Sequence, residues 1–127
     1  MSGWFRRLKK QTLKKLIMID TGYHSHHLST TLLERGGFSI LAFIDEEPWN
    51  HLNLMNGAKI HYPSELLALA EKSRADAVIK LTGKGWQPAS DCVSELQKKG
   101  IAYITLDVAI APDEQLNIIV ERLSAER

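Results

Sequence analysis

The 127-residue sequence predicts an α/β fold in three layers, a mainly parallel sheet of about five strands with helices on both faces. The first observation behind this is the run Leu16-Ile-Met-Ile19, apolar at every position as a strand buried on both faces must be. It passes through Asp20-Thr-Gly22 straight into Leu28, Thr31, Leu32 and Arg35 at helical spacing. The second is that this alternation recurs down the chain, and successive parallel strands need right-handed crossovers that put helices on both sides of the sheet.

Residues 1–14 form a basic amphipathic arm, and residues 15–127 are expected to form one domain. The arm sets Trp4, Phe5 and Leu8 at helical spacing among positive charges. Residues 1–15 hold six Lys or Arg and no acid, whereas the rest of the chain has 10 basic and 15 acidic residues, a net of −5. An acidic body has no electrostatic footprint for duplex nucleic acid, so any basic contact belongs to the arm. The arm is expected to pack on the body of the chain or on another copy, with contact to a protein partner or to anionic lipid as alternatives and single-stranded nucleic acid as a lesser one. Cys92 is the one cysteine, which excludes an internal disulfide. With no apolar run near the ~18 residues of a membrane span and no signal-peptide core, a cytoplasmic location is expected, with the inner membrane surface open to the arm.

The elements follow in order. Gly36-Gly37 stops the first helix, and Phe38-Ser-Ile-Leu-Ala-Phe-Ile-Asp45 is the second strand. Residues 46–57, with Pro48, Asn50, Asn53, Asn56 and Gly57, read as irregular, and Ala58 to Tyr62 as a short strand or extended segment. Pro63-Ser-Glu opens a helix to Ser73 with Leu66, Leu67, Leu69 and Ala70 inside. Asp76 to Leu81 is a strand, Thr82-Gly-Lys-Gly-Trp-Gln87 a loop, and Pro88 starts a helix that stops at Gly100. Ile101 to Leu106 is the last strand, and Pro112-Asp-Glu introduces a helix with Leu116, Ile119, Val120 and Leu123 on one face.

In such folds ligands lie beyond the carboxyl ends of the strands, which selects four loops: 20–27, 45–49, 82–86 and 106–110. A glycine turn ahead of a helix offers free backbone N–H groups and a positive dipole end to an anion. Asp20, Thr21, Gly22 and Ser25 form that turn, with Asp45 a carboxylate 23 residues after Gly22. Gly83, Lys84 and Gly85 are a second anion candidate, although without the spacing or the Ser/Thr of a P-loop. Trp86 offers an aromatic for stacking on a base, and Trp49 either stacks on an adenine or, as simply, covers the sheet edge or makes a subunit contact. His24 and His27, three apart, share a helix face with Asp20 near, which allows a two-histidine, one-carboxylate metal site or an anion pocket; solvent-facing polar residues are the simpler reading.

Taken with the phrases Ala42-Phe-Ile-Asp-Glu-Glu-Pro48, Gly57-Ala-Lys-Ile-His61, Pro63-Ser-Glu-Leu-Leu67 and Arg74-Ala-Asp-Ala-Val-Ile79, the sequence resembles the small Rossmann-like domains that precede the catalytic domain of polysaccharide-biosynthesis nucleoside-diphosphate-sugar epimerases and dehydratases. More distantly it resembles CoA-binding-domain proteins. The resemblance covers most of residues 15–107. It implies a nucleotide-type ligand, namely NAD(P), CoA or a nucleotide sugar, and an accessory or sensor module linked to polysaccharide synthesis. Of the family's G-x-G-x-x-G only the middle glycine, Gly22, is kept; Asp20 and Ser25 stand at the other two places. Asp20 sets a carboxylate beside the place of a diphosphate, where like charges repel. A ligand-free, degenerate module acting through protein or membrane contacts, including self-association, is therefore the alternative.

Catalysis is not expected. There is no nucleophile elbow, and neither Tyr23 nor Tyr103 has a lysine four residues on. Leu81-Thr82 and Leu106-Asp107 also lack the acid and lysine of a phosphoacceptor receiver domain.

Overall fold

A computed structural model describes residues 13–125, so the arm assigned to residues 1–14 lies outside the described residues apart from its last two positions. The order is β1 (Lys14–Ile19), α1 (Tyr23–Arg35), β2 (Phe38–Ile44), a 3-10 turn (Pro48–Asn50), β3 (Leu54–Met55) and β4 (Ala58–His61). A second 3-10 turn (Pro63–Glu65) then leads into α2 (Leu66–Ser73), followed by β5 (Ala77–Leu81), α3 (Ser90–Lys98), β6 (Ala102–Leu106) and α4 (Pro112–Ala125). One sheet holds the described strands in the order β3-β4-β2-β1-β5-β6, parallel throughout except for β3.

Alternation along β1 builds two cores. Leu16 and Met18 face α1 and α4, where they meet Leu28, Leu32, Leu116, Ile119 and Leu123. Ile17 and Ile19 face α2 and α3, where they meet Leu66, Ala70 and Leu96. Leu16 to Ile19, four of the six β1 residues, are completely buried, and each such side chain stabilises the fold by roughly 1.5–3 kcal/mol. This is the three-layer α/β architecture expected of a Rossmann-like fold.

The structure differs from the sequence reading between residues 46 and 57. That stretch is not wholly irregular, because Leu54 and Met55 pair antiparallel with Lys59 and Ala58 to make a sixth strand. Asn56 and Gly57 sit at φ +48° and +82°, as a two-residue hairpin turn requires. The helix-opening segment Pro63–Glu65 is a 3-10 turn, in which the Glu65 carboxylate accepts from the Tyr62 N–H at 2.8 Å.

Sheet order reverses at the β1–β5 boundary. Chain order runs outward from β1 through β2 on one side and from β5 through β6 on the other, so the loops after β1 and β5 face each other across the switch point. Lateral backbone bonds hold the carboxyl ends together: Asp20 N–H to Ile44 C=O at 2.8 Å, Asp45 N–H to His61 C=O at 3.0 Å and Thr82 N–H to Leu106 C=O at 2.8 Å.

Candidate functional site

The turn between β1 and α1 binds an anion, and the anion is its own. Asp20 takes φ +94°, on the left-handed side where the first glycine of a dinucleotide turn normally sits. From there its carboxylate folds onto the start of α1, accepting from the Gly22 N–H at 3.0 Å and the Ser25 hydroxyl at 3.3 Å. Ser25 is fully buried and also approaches the Ile19 carbonyl at 3.3 Å. A side-chain carboxylate thus occupies the helix-dipole position that suits a phosphate.

The loop after β5 closes on the same carboxylate. A Cβ added to Gly85 would lie 2.6 Å from the Asp20 Cβ, and Gly85 itself stands at φ +75°. A Cβ on Gly22 would meet the far end of that side chain, Asp20 Oδ2, at 3.1 Å. Gly83, at φ +79°, has open space around it, and the Lys84 N–H donates to Leu81 C=O at 3.0 Å in a tight turn.

Lys80, which belongs to no motif in the sequence, holds this loop from below. It is 2% exposed, and its ammonium donates to the carbonyls of Lys84, Gly85 (3.2 Å) and Trp86 (3.0 Å). Burial lowers its pKa, and the Asp20 charge opposes that shift. The signal was available in the sequence: a lysine inside Ala77-Val-Ile-Lys-Leu81, a run that must be buried on both faces, has to find several acceptors.

Asp45 ends β2 with internal partners too. It accepts from Thr21 Oγ1 and Asn50 Nδ2, each at 2.7 Å, and from the Glu47 N–H at 3.2 Å. Burial acts to raise the carboxyl, but these hydrogen bonds together with one from the Glu46 backbone outweigh it and hold the group below its ordinary value. Thr21 therefore joins the first two carboxyl ends, bridging the β1 turn to β2.

The remaining candidates separate. Tyr23 packs edge-on against His24 and stacks on His27 with ring centres 5.8 Å apart, and these three line a cavity of about 210 Å³ with Val108 to Pro112 and Gln115. His24, His27 and Asp20 do not converge as a three-ligand group among the described residues. Trp86 packs partly buried against the α2–α3 core, whereas Trp49 is 72% exposed. Burial pushes the Cys92 thiol up, away from a reactive thiolate.

A diphosphate reaching the α1 N-terminus has to displace the Asp20 carboxylate from the amide and hydroxyl it holds, and the opposite wall, Gly85, lies close against that residue. Asp20, Thr21, Gly22, Ser25, Gly85 and, one strand over, Asp45 are nonetheless gathered at one edge, with Lys84 and Gly83 on the rim.

No family model matches the sequence, and no curated protein matches it. Among solved structures, the fold is similar to that of UDP-D-quinovosamine 4-dehydrogenase from Vibrio fischeri, with TM-score 0.62 and 23% identity over 84% of this chain and 85% of that one. It is also similar to the Rex-family repressor RSP in complex with NAD+ and operator DNA, with TM-score 0.59 and 15% identity over 98% of this chain. The RSP complex with NADH gives the same TM-score and identity. This chain spans 63–66% of the length of those repressor chains.

Proposed function

We propose that this chain is a Rossmann-like accessory module whose carboxyl edge takes a nucleotide-type ligand, with Asp20 deciding which ligands are turned away. The observation that carries the reading is the Asp20 carboxylate on the Gly22 N–H and the Ser25 hydroxyl. A turn that holds an anion of its own has the donors to hold another's, and replacing one by the other is a competition. While Asp20 stays in place, ligands that need a diphosphate on α1 are disfavoured, and those held through a ribose at Asp45 are preferred. Support also comes from the likeness to a UDP-sugar dehydrogenase and to a repressor solved with NAD+, which makes UDP-sugars and NAD+ the compounds to try. A link to polysaccharide synthesis belongs to the same proposal, and no catalytic role does.

The test is calorimetric titration of the wild type and Asp20→Gly with NAD+, CoA and a UDP-sugar. The variant relieves the positive φ and frees both donors, so it is expected to bind at least one of these about tenfold tighter or more, near 1.4 kcal/mol. Equal or weaker binding by the variant to all three sinks the reading.

The second reading is a degenerate module that works by protein contact. It is favoured by Trp49, Leu52 and Leu54, which are 72%, 50% and 68% exposed along the excursion between β2 and β4. Under it, Trp49→Ser with Leu54→Ser alters self-association in sedimentation, while nucleotides leave the melting temperature unchanged in either form.

A further inference from the structure

A cluster away from the Asp20 turn carries the chemistry of a cation site. His51 follows the 3-10 turn after β2, His61 ends β4, and Glu65 closes the 3-10 turn before α2. No spacing rule in the sequence links the three, yet one ligand atom from each lies within 4.8 Å of the other two. His51 Nε2 is 2.9 Å from Glu65 Oε1, and His61 Nδ1 is 3.4 Å from Glu65 Oε2.

We propose that His51, His61 and Glu65 bind a divalent first-row transition-metal ion of the zinc class, each side chain supplying one ligand atom. Two imidazoles and one carboxylate are the donor set that such ions select, whereas calcium and magnesium want oxygen alone. A tetrahedral zinc ion with bonds of about 2.0–2.1 Å has ligand atoms about 3.3 Å apart, so small side-chain rotations close the observed spacing. Three protein ligands also leave a coordination position open to water or an anionic oxygen.

Internal partners leave one nitrogen unserved. The Nδ1 atom of His61 is buried and has no hydrogen bond, its 3.4 Å approach to Glu65 being poorly directed. A buried polar atom without a partner is destabilising, and a metal bond would remove that cost.

The surroundings hold the ligands where a metal needs them. Tyr62 N–H fixes Glu65 Oε1 at 2.8 Å, and the His51 ring stacks on Tyr62 with centres 4.0 Å apart and planes 8° off parallel. Leu52, at φ +68°, turns the chain immediately after His51 and donates its N–H to Ile60 C=O at 2.7 Å, which ties His51 alongside β4. His61 is itself paired in the sheet with Ile44. Outer contacts of this kind orient metal ligands and typically change affinity 10–100-fold when removed.

The experiment is titration of the full, chelator-treated chain with ZnCl2, followed by CoCl2 as a spectroscopic probe. The expected result is one equivalent of zinc bound, a raised melting temperature, and a visible cobalt absorption band that zinc displaces. His61→Ala and Glu65→Gln are each expected to lower zinc affinity at least about tenfold, and the double variant His24→Ala, His27→Ala to leave it unchanged. Circular dichroism first establishes that each variant folds. His51→Ala, on the loop rather than in the sheet, takes over the test if His61→Ala does not fold. Absence of saturable one-to-one binding overturns the proposal, as does binding that survives the ligand substitutions or is lost in the His24, His27 variant. The nucleotide reading rests on other residues, so either can fail alone.

Discussion

Asp20 stands at φ +94° although it is not glycine, and what it gains in return is two hydrogen bonds at a helix N-terminus. Strain of that kind costs of order 1–3 kcal/mol and persists only where the surroundings hold it. Gly85 pays for the same geometry from the other side. Gly85→Ala places a methyl 2.6 Å from the Asp20 Cβ at a positive φ, so it is expected to destabilise the fold by about 2–4 kcal/mol in urea unfolding. Gly83→Ala at a similar φ meets open space and is expected to cost only about 1 kcal/mol, which separates the clash from the backbone effect. Lys80→Met leaves three carbonyls without their donor and is expected to cost about 3 kcal/mol. Hydrogen exchange at residues 83–86 should accelerate in that variant, because the ammonium is what gathers the loop. Of these residues, Asp20 and Gly85 were legible as members of a turn and a loop. Their contact was not, since 65 positions separate them and no periodicity links them.

Among the elements, α2 shows how a boundary is set. Its helical pattern runs to Ser73, and the chain then turns at Arg74 with φ +56°, Arg74 N–H donating to Glu71 C=O at 3.2 Å and Ala75 N–H to Ala70 C=O at 2.9 Å. Glycine is the residue that accepts this left-handed cap without a steric penalty. Arg74→Gly is therefore expected to raise stability by about 0.5–1 kcal/mol in thermal or urea unfolding, against the usual direction for glycine substitutions. Apart from the helix starts, which fall at Leu66 and Ser90 and not at Pro63 and Pro88, strand and helix positions were readable because a two-residue or 3.6-residue period survives in the sequence. The exception is β3, two residues long, where only the Asn56-Gly57 pair signalled a hairpin. A strand that short has no period to detect.

For the whole molecule, the carboxyl edge couples the site to acid stability. Asp45 is held below its ordinary 3.8 in the folded state, because hydrogen bonds outweigh burial. A carboxyl depressed by folding contributes stability that is complete above its unfolded value and is lost as pH falls through the folded one. The urea midpoint is thus expected to drop below about pH 4, and Asp45→Asn to flatten that drop. No helix among the described residues is long and apolar enough to cross a membrane. The amino-acid sequence alone determined the layered α/β plan, the order of its principal strands and helices, and the edge where the candidate residues collect, because burial on both faces of a strand and on one face of a helix is written in local apolar periods. Tertiary structure alone decided that Asp20 fills the anion turn, that Lys80 gathers the opposing loop, and that His51, His61 and Glu65 meet. Those outcomes depend on positive-φ turns, side-chain directions and burial, which apolar periods do not encode even where the partners lie only a few positions apart, as Asp20 and Ser25, Lys80 and Gly85, or His61 and Glu65 do.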